Sequence, residues 1–202
     1  ITSQIVGAEG RVIGVDMNDD MLDLARRHQG DLARTIGYDN VEFRKGRIQD
    51  LGLDRGALET WLQSNPVSDP ASLERYEAQV AAMRRETPLV GDDAVDLVLS
   101  NCVLNLVSDT EKKQLFEEIF RVLRRGGRAA ISDIVADEPV PDHMKSDPEL
   151  WSGCISGAME EEEFLQAFVD AGFYGVEMVK RDETPWRTVE GIEFRSVTIT
   201  AW

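Results

Sequence analysis

The chain has 202 residues, 42% hydrophobic and 30% charged, enough to bury one core, and none of its apolar runs approaches the roughly 18 residues of a membrane span. Thirty-eight acids against 22 bases give a net charge of −16, which repels phosphate backbones and anionic lipid. A small-molecule substrate is therefore favoured over nucleic acid or membrane as the main partner. The two cysteines, Cys102 and Cys154, form neither a disulfide framework nor a Cys-x-x-Cys metal knuckle. They predict free thiols in a reducing, cytoplasmic setting.

Residues 5–10 read as a helix end and a glycine-containing turn, and the first residue is Ile1 rather than Met; we expect a piece of a longer protein. Residues 11–15 (RVIGV) form a short β-branched run ending at Asp16, the pattern of a buried parallel strand. A helix follows, capped by Asn18 or Asp19, with Met21, Leu22, Leu24 and Ala25 at helical spacing and a turn at Gly37. Residues 41–43 are the next strand. Residues 52–92 read as a helical insert, with helices over 57–63 and 71–85 set off by Asn65-Pro66, Asp69-Pro70 and Thr87-Pro88.

Residues 94–100 (AVDLVLS) are another buried strand, and 109–123 a helix with Leu115, Phe116, Ile119, Val122 and Leu123 on its apolar face, stopped by Gly126-Gly127. A strand over 128–135, a proline-rich stretch over 138–148 and an acidic-start helix over 160–171 come next. Strands over 175–180 and 192–201 then form an antiparallel pair. Alternating strands and helices predict a single α/β domain, a doubly wound and mostly parallel sheet closed by that pair.

Such sheets bind ligands beyond the carboxyl ends of their strands, which selects Asp16, the stretch after Phe43 and residues 100–105. A carboxylate at a strand end accepts both hydroxyls of a ribose; it also caps helices, and Asp16 fits either role. Residues 46–51 (GRIQDL) offer Ile48 to one face of an adenine and Gln49 or Asp50 to its amino group, or else form a loop with a buried Ile. In residues 96–106 (DLVLSNCVLNL), apolar residues run straight into Ser100, Asn101 and Cys102, polar groups that are costly there unless they contact something. Cys154 lies among small residues (SGCISGA) that let backbones approach closely, and its thiol either faces the same cleft or is tightly packed in the core. His28 and His143 have no partners spaced for catalysis and read as surface residues.

Four stretches resemble the arsenite S-adenosylmethionine methyltransferases, within the class I methyltransferases: GRVIGVDMNDDMLDLAR, SNCVLNLVSD, EIFRVLRRGGRAAISDIV and DPELWSGCISGAMEEEEFLQAFVDAGF. The strand-Asp and Arg-Gly-Gly features are shared by many methyltransferases. The pairing of Asn-Cys-Val-x-Asn-Leu with Gly-Cys-Ile-Ser-Gly-Ala is more specific. The resemblance implies a Rossmann-like methyltransferase fold and S-adenosylmethionine as cofactor, with Asp16 and Met17 on its ribose and adenine side, Ile48 and Gln49 at the adenine and Asn101 at the cofactor end of the cleft. It also implies that Cys102 and Cys154 bind trivalent arsenic as substrate, a soft centre that suits thiolates.

The family's glycine-rich loop, first strand and N-terminal cysteines have no counterpart among these residues and are expected to precede Ile1, while the 52–92 insert is longer than in familiar members. Methyl transfer to another small molecule and a non-catalytic binding or dimerisation module are the alternatives.

Overall fold

The computed structural model describes all 202 residues and divides into two compact units, residues 1–91 and 92–202. In the first, α1 (Thr2–Val6) precedes β1 (Val12–Asp16), α2 (Asp19–Ile36) and β2 (Val41–Lys45), and β1 and β2 pair in parallel with Val12 opposite Val41 and Asp16 opposite Lys45. Asn18 caps α2, its side chain accepting the N–H groups of Asp20 at 2.9 Å and Met21 at 3.3 Å, and Gly37 ends it with φ 88°, a left-handed conformation that glycine adopts without cost. Of the apolar positions expected to face inward, Leu22 is buried, whereas Met21 and Leu24 are exposed.

The expected insert helices are α3 (Arg55–Ser64), capped by Asp54, and α4 (Pro70–Glu86), whose capping box joins Asp69 and Ser72 ahead of Pro70. Leu53, Leu58, Val80 and Met83 form their shared core, with Trp61, Leu62 and Tyr76 around it. The chain then returns to the turn after β2, Val90 N–H donating to the Leu51 carbonyl at 2.8 Å.

The second unit is built on a six-stranded mixed sheet in the order β3-β4-β8-β6, with β5 added to β4 and β7 to β8. Its strands are β3 (Val95–Asn101), β4 (Leu123–Ala136), β5 (Met159–Glu160), β6 (Glu177–Arg181), β7 (Arg187–Val189) and β8 (Ile192–Ala201). The pairs β3–β4 and β4–β5 are parallel, and β8 runs antiparallel to β4, β6 and β7, as expected for the C-terminal strands. Helix α5 (Asp109–Val122) buries Leu115, Phe116, Ile119 and Val122, the predicted face, and meets α8 (Glu161–Asp170) through edge-to-face rings, Phe116 and Phe168 being 4.9 Å apart. Two short helices, α6 (Asp142–Lys145) and α7 (Pro148–Ser152), occupy the proline-rich stretch.

Gly126-Gly127 does not stop α5. The helix ends at Val122, Leu123 already opens β4, and Gly126, with φ 81°, bends the strand where Gly127 passes too close to the Arg124 and Asp96 carbonyls for a side chain. β6 begins two residues later than expected because Gly175, φ 58°, packs on Trp202. No helix is long and apolar enough to cross a membrane.

Candidate functional site

In the first unit, parallel pairing brings the carboxyl ends of β1 and β2 side by side, Gly46 N–H donating to the Asp16 carbonyl at 2.9 Å. The helix-capping role open to Asp16 is taken by Asn18. Asp16 Oδ1 instead accepts the Asn18 N–H at 2.8 Å, which orients the carboxylate and leaves Oδ2 without a protein partner. Met17 beside it is exposed. After β2 the chain makes a tight turn closed by Asp50 N–H to the Arg47 carbonyl at 3.0 Å, with Ile48 half-buried and Gln49 buried at its centre. Asp50 is engaged elsewhere: Arg84 of α4 holds it through two hydrogen bonds, at 2.7 and 3.1 Å, so the insert braces this turn.

In the second unit, Asn101 is exposed at the end of β3, and Cys102 N–H extends the parallel ladder to the Ser132 carbonyl at 2.9 Å. The chain turns there with Cys102 at φ 54°. Only four non-glycine residues have positive φ, and the second cysteine, Cys154 at φ 59°, is another. Such backbone costs of order 1–3 kcal/mol per residue, persists only where the surroundings hold it, and concentrates at functional sites.

The two cysteines share one corner, where the Cys154 thiol donates to the Cys102 carbonyl at 3.5 Å. Both are free, Cys102 exposed and Cys154 half-buried beside the core cluster of Val140, Met144 and Ile155. Burial pushes both thiols up from the ordinary value, and the Asp133 carboxylate adds to it; for Cys154 the Cys102 thiol contributes as well. They are consequently protonated at neutral pH.

Four polar side chains build this corner: Asn105, from the selected 100–105 stretch, and Asp133, Lys112 and Ser156, which sequence patterning had not singled out. Asp133 is fully buried in β4, its Oδ2 accepting Leu104 N–H at 2.9 Å and its Oδ1 accepting Ile134 N–H at 2.8 Å. Burial raises its pKa, with the surrounding amides opposing. Asn105, also buried, donates through Nδ2 to the Ile134 carbonyl at 2.7 Å and to the Cys154 carbonyl at 3.2 Å. Lys112 of α5 reaches the Gly157 carbonyl at 2.5 Å, and Ser156 Oγ donates to the Met144 carbonyl at 2.7 Å. The available signal was the presence of polar residues inside apolar runs, Asn105 in VLNL and Asp133 in AISDIV, since buried polar groups demand partners.

A separate cavity of 390 Å³ opens between α5 and α8, over Phe116, Ala158 and Ala167, with Asp109 paired to Lys112 and Lys145 at its rim. Neither cysteine lines it. His28 is exposed, and His143 pairs with Glu190 at 2.8 Å.

A family model described as a methyltransferase domain matches residues 1–72 and 67–172. The chain belongs to this methyltransferase domain family. It is 34% identical to an arsenite methyltransferase of Halobacterium salinarum over 91% of the chain and 36% of that protein. It is 31% identical to one of Aquipseudomonas alcaligenes over 89% of the chain and 42% of that protein. Among solved structures, an arsenic(III) S-adenosylmethionine methyltransferase from Chlamydomonas reinhardtii superposes with a TM-score of 0.73 at 27% identity, covering 100% of this chain and 58% of that one. The methyltransferase domain described above thus spans well under half the length of the two curated relatives.

Proposed function

We propose that the chain carries the methyl-transfer chemistry of an arsenite methyltransferase: transfer of a methyl group from S-adenosylmethionine to trivalent arsenic held by Cys102 and Cys154. The observation that carries the reading is the convergence of the only two thiols on one corner, both on left-handed backbone, with Cys154 Sγ 3.5 Å from the Cys102 carbonyl. The similarity to arsenite methyltransferases over most of the chain supports it.

The residues present fit the adenosine half of the cofactor. Asp16 Oδ2 is free to accept a ribose hydroxyl, Met17 lies exposed beside it, and the half-buried Ile48 with Gln49 sits at the neighbouring strand end for the adenine. When bound, S-adenosylmethionine supplies an electrophilic methyl group on a sulfonium.

Cys102 and Cys154 each exchange a thiol proton for arsenic, the proton leaving with an arsenic-bound hydroxyl as water. Two sulfur bonds would then hold the arsenic with its lone pair free to form the As–C bond, the sulfonium C–S bond breaking and its electron pair leaving on the cofactor sulfur as a neutral thioether. Alignment of nucleophile and leaving group supplies most of the acceleration, and no general base is needed because the attacking atom carries no proton.

Methyl transfer to arsenite from radiolabelled S-adenosylmethionine tests the reading. Cys102→Ser and Cys154→Ser should each lower kcat/KM by at least about 100-fold, as expected when a positioning bond to the reacting atom is lost. Full activity in both would defeat the thiol mechanism, and a transferred methyl on a different acceptor would redirect the substrate.

A further inference from the structure

We propose that Asn105 is a positioning residue for the thiol pair, its carboxamide setting the separation at which Cys102 and Cys154 hold one thiophilic atom between them. The proposal rests on the reading of that pair as an arsenic(III) site.

The two cysteines lie on segments 52 positions apart, joined directly by the 3.5 Å contact of the Cys154 thiol with the Cys102 carbonyl, a weak sulfur hydrogen bond that does not by itself fix their separation. Asn105 is three residues after Cys102 and 2% exposed. Its Nδ2 is the donor of both long-range side-chain bonds it makes, to the Ile134 carbonyl in β4 at 2.7 Å and to the carbonyl of Cys154 itself at 3.2 Å. The first fixes Asn105 against the central strand, next to the Asp133 carboxylate that already takes Leu104 N–H. The second ties the Cys154 peptide to that fixed point. A carboxylate of the same shape has no such donors and would set an acceptor against two carbonyl oxygens.

Backbone packing reinforces the arrangement. A Cβ on Gly157 would lie 1.9 Å from the Asn105 carbonyl oxygen, so the Cys154 loop lies directly on the Asn105 backbone, and Lys112 pulls on the Gly157 carbonyl from α5. Separation matters because a dithiol binds one arsenic centre far better than two independent thiols do, an effect that depends on geometry rather than on thiol chemistry.

Phenylarsine oxide, which requires two neighbouring thiols for tight binding, and iodoacetamide, which requires one, separate the roles. In Asn105→Asp, phenylarsine oxide affinity should fall about tenfold or more, the loss expected for a buried hydrogen bond replaced by a repulsive contact. The alkylation rate of each thiol should change by less than about threefold. Unchanged phenylarsine oxide affinity would overturn the proposal. So would a parallel change in alkylation, which marks general loosening instead of lost spacing. Should Asn105→Asp not fold, the side-chain amide signals of Asn105 in the ¹⁵N-labelled unsubstituted chain decide: they should shift on phenylarsine oxide binding and stay unmoved in Cys154→Ser, and no shift in the unsubstituted chain contradicts the role. Failure of the underlying reading looks different. The unsubstituted chain would then bind phenylarsine oxide no better than the Cys102→Ser/Cys154→Ser double variant.

Discussion

Cys102 stands at φ 54° with its amide held by the Ser132 carbonyl, so the strand end imposes a backbone that a side chain resists. Glycine removes that resistance. We predict that Cys102→Gly is more stable to thermal denaturation than Cys102→Ser, by up to about 1 kcal/mol, while neither holds trivalent arsenic between two thiols. The reverse order would mean that the left-handed backbone is not held as described. Asp133 gives a second prediction. Because burial first, and this carboxylate second, raise both thiols, their alkylation should accelerate with pH through a midpoint above that of a free thiol. Asp133→Asn removes the carboxylate contribution and should lower both midpoints, with a stability loss of about 1–3 kcal/mol because an amide nitrogen cannot accept one of the two N–H groups now satisfied. Midpoints that stay in place would assign the shift to burial alone.

Among elements, the Cys154 loop depends on a close approach. Gly157→Ala would drive a methyl into the Asn105 carbonyl, and the loop would have to move away from the β3 end. A loss of phenylarsine oxide binding with Tm lowered by only a few degrees is expected, and unchanged binding would show that the loop is not fixed there. In the first unit, the β1–β2 pair is tied by Glu42, which Arg44 and Arg11 hold as a carboxylate down to about pH 2 against an ordinary value of 4.5. A folded-state pKa below the unfolded one contributes stability that is fully present above the ordinary range and lost as pH falls toward 2. The stability gap between the unsubstituted chain and Glu42→Gln should therefore close across that interval in acid titrations. It should stay flat if the arginines do not engage the carboxylate.

Taken over the whole molecule, the sequence exposed those elements whose signals are local. Asn18, Asp69 with Pro70, and Gly37 mark helix ends through their own side chains or backbone freedom, and the Leu115–Val122 spacing marks a face. Gly126-Gly127 misled because a glycine pair that can end a helix can equally bend a strand, and the outcome was set by the Asp96 carbonyl on a neighbouring strand. β5 and β7, two and three residues long, are too short for a period to register. Asp16, Ile48 and Gln49 were legible as strand-end positions, and the structure puts the first and the turn holding the other two at adjacent strand ends. The scaffold around the cysteines was not legible, since Asn105 acts across 29 and 49 positions and Asp133 across 29, distances fixed only by sheet pairing.

The central claim is that two thiols of one methyltransferase domain hold one arsenic atom together, and X-ray absorption at the arsenic edge reads this directly. With one equivalent of arsenite, two sulfur neighbours per arsenic are expected for the unsubstituted chain and one for either Cys→Ser variant. An arsenic surrounded only by oxygen in the unsubstituted chain would contradict the account.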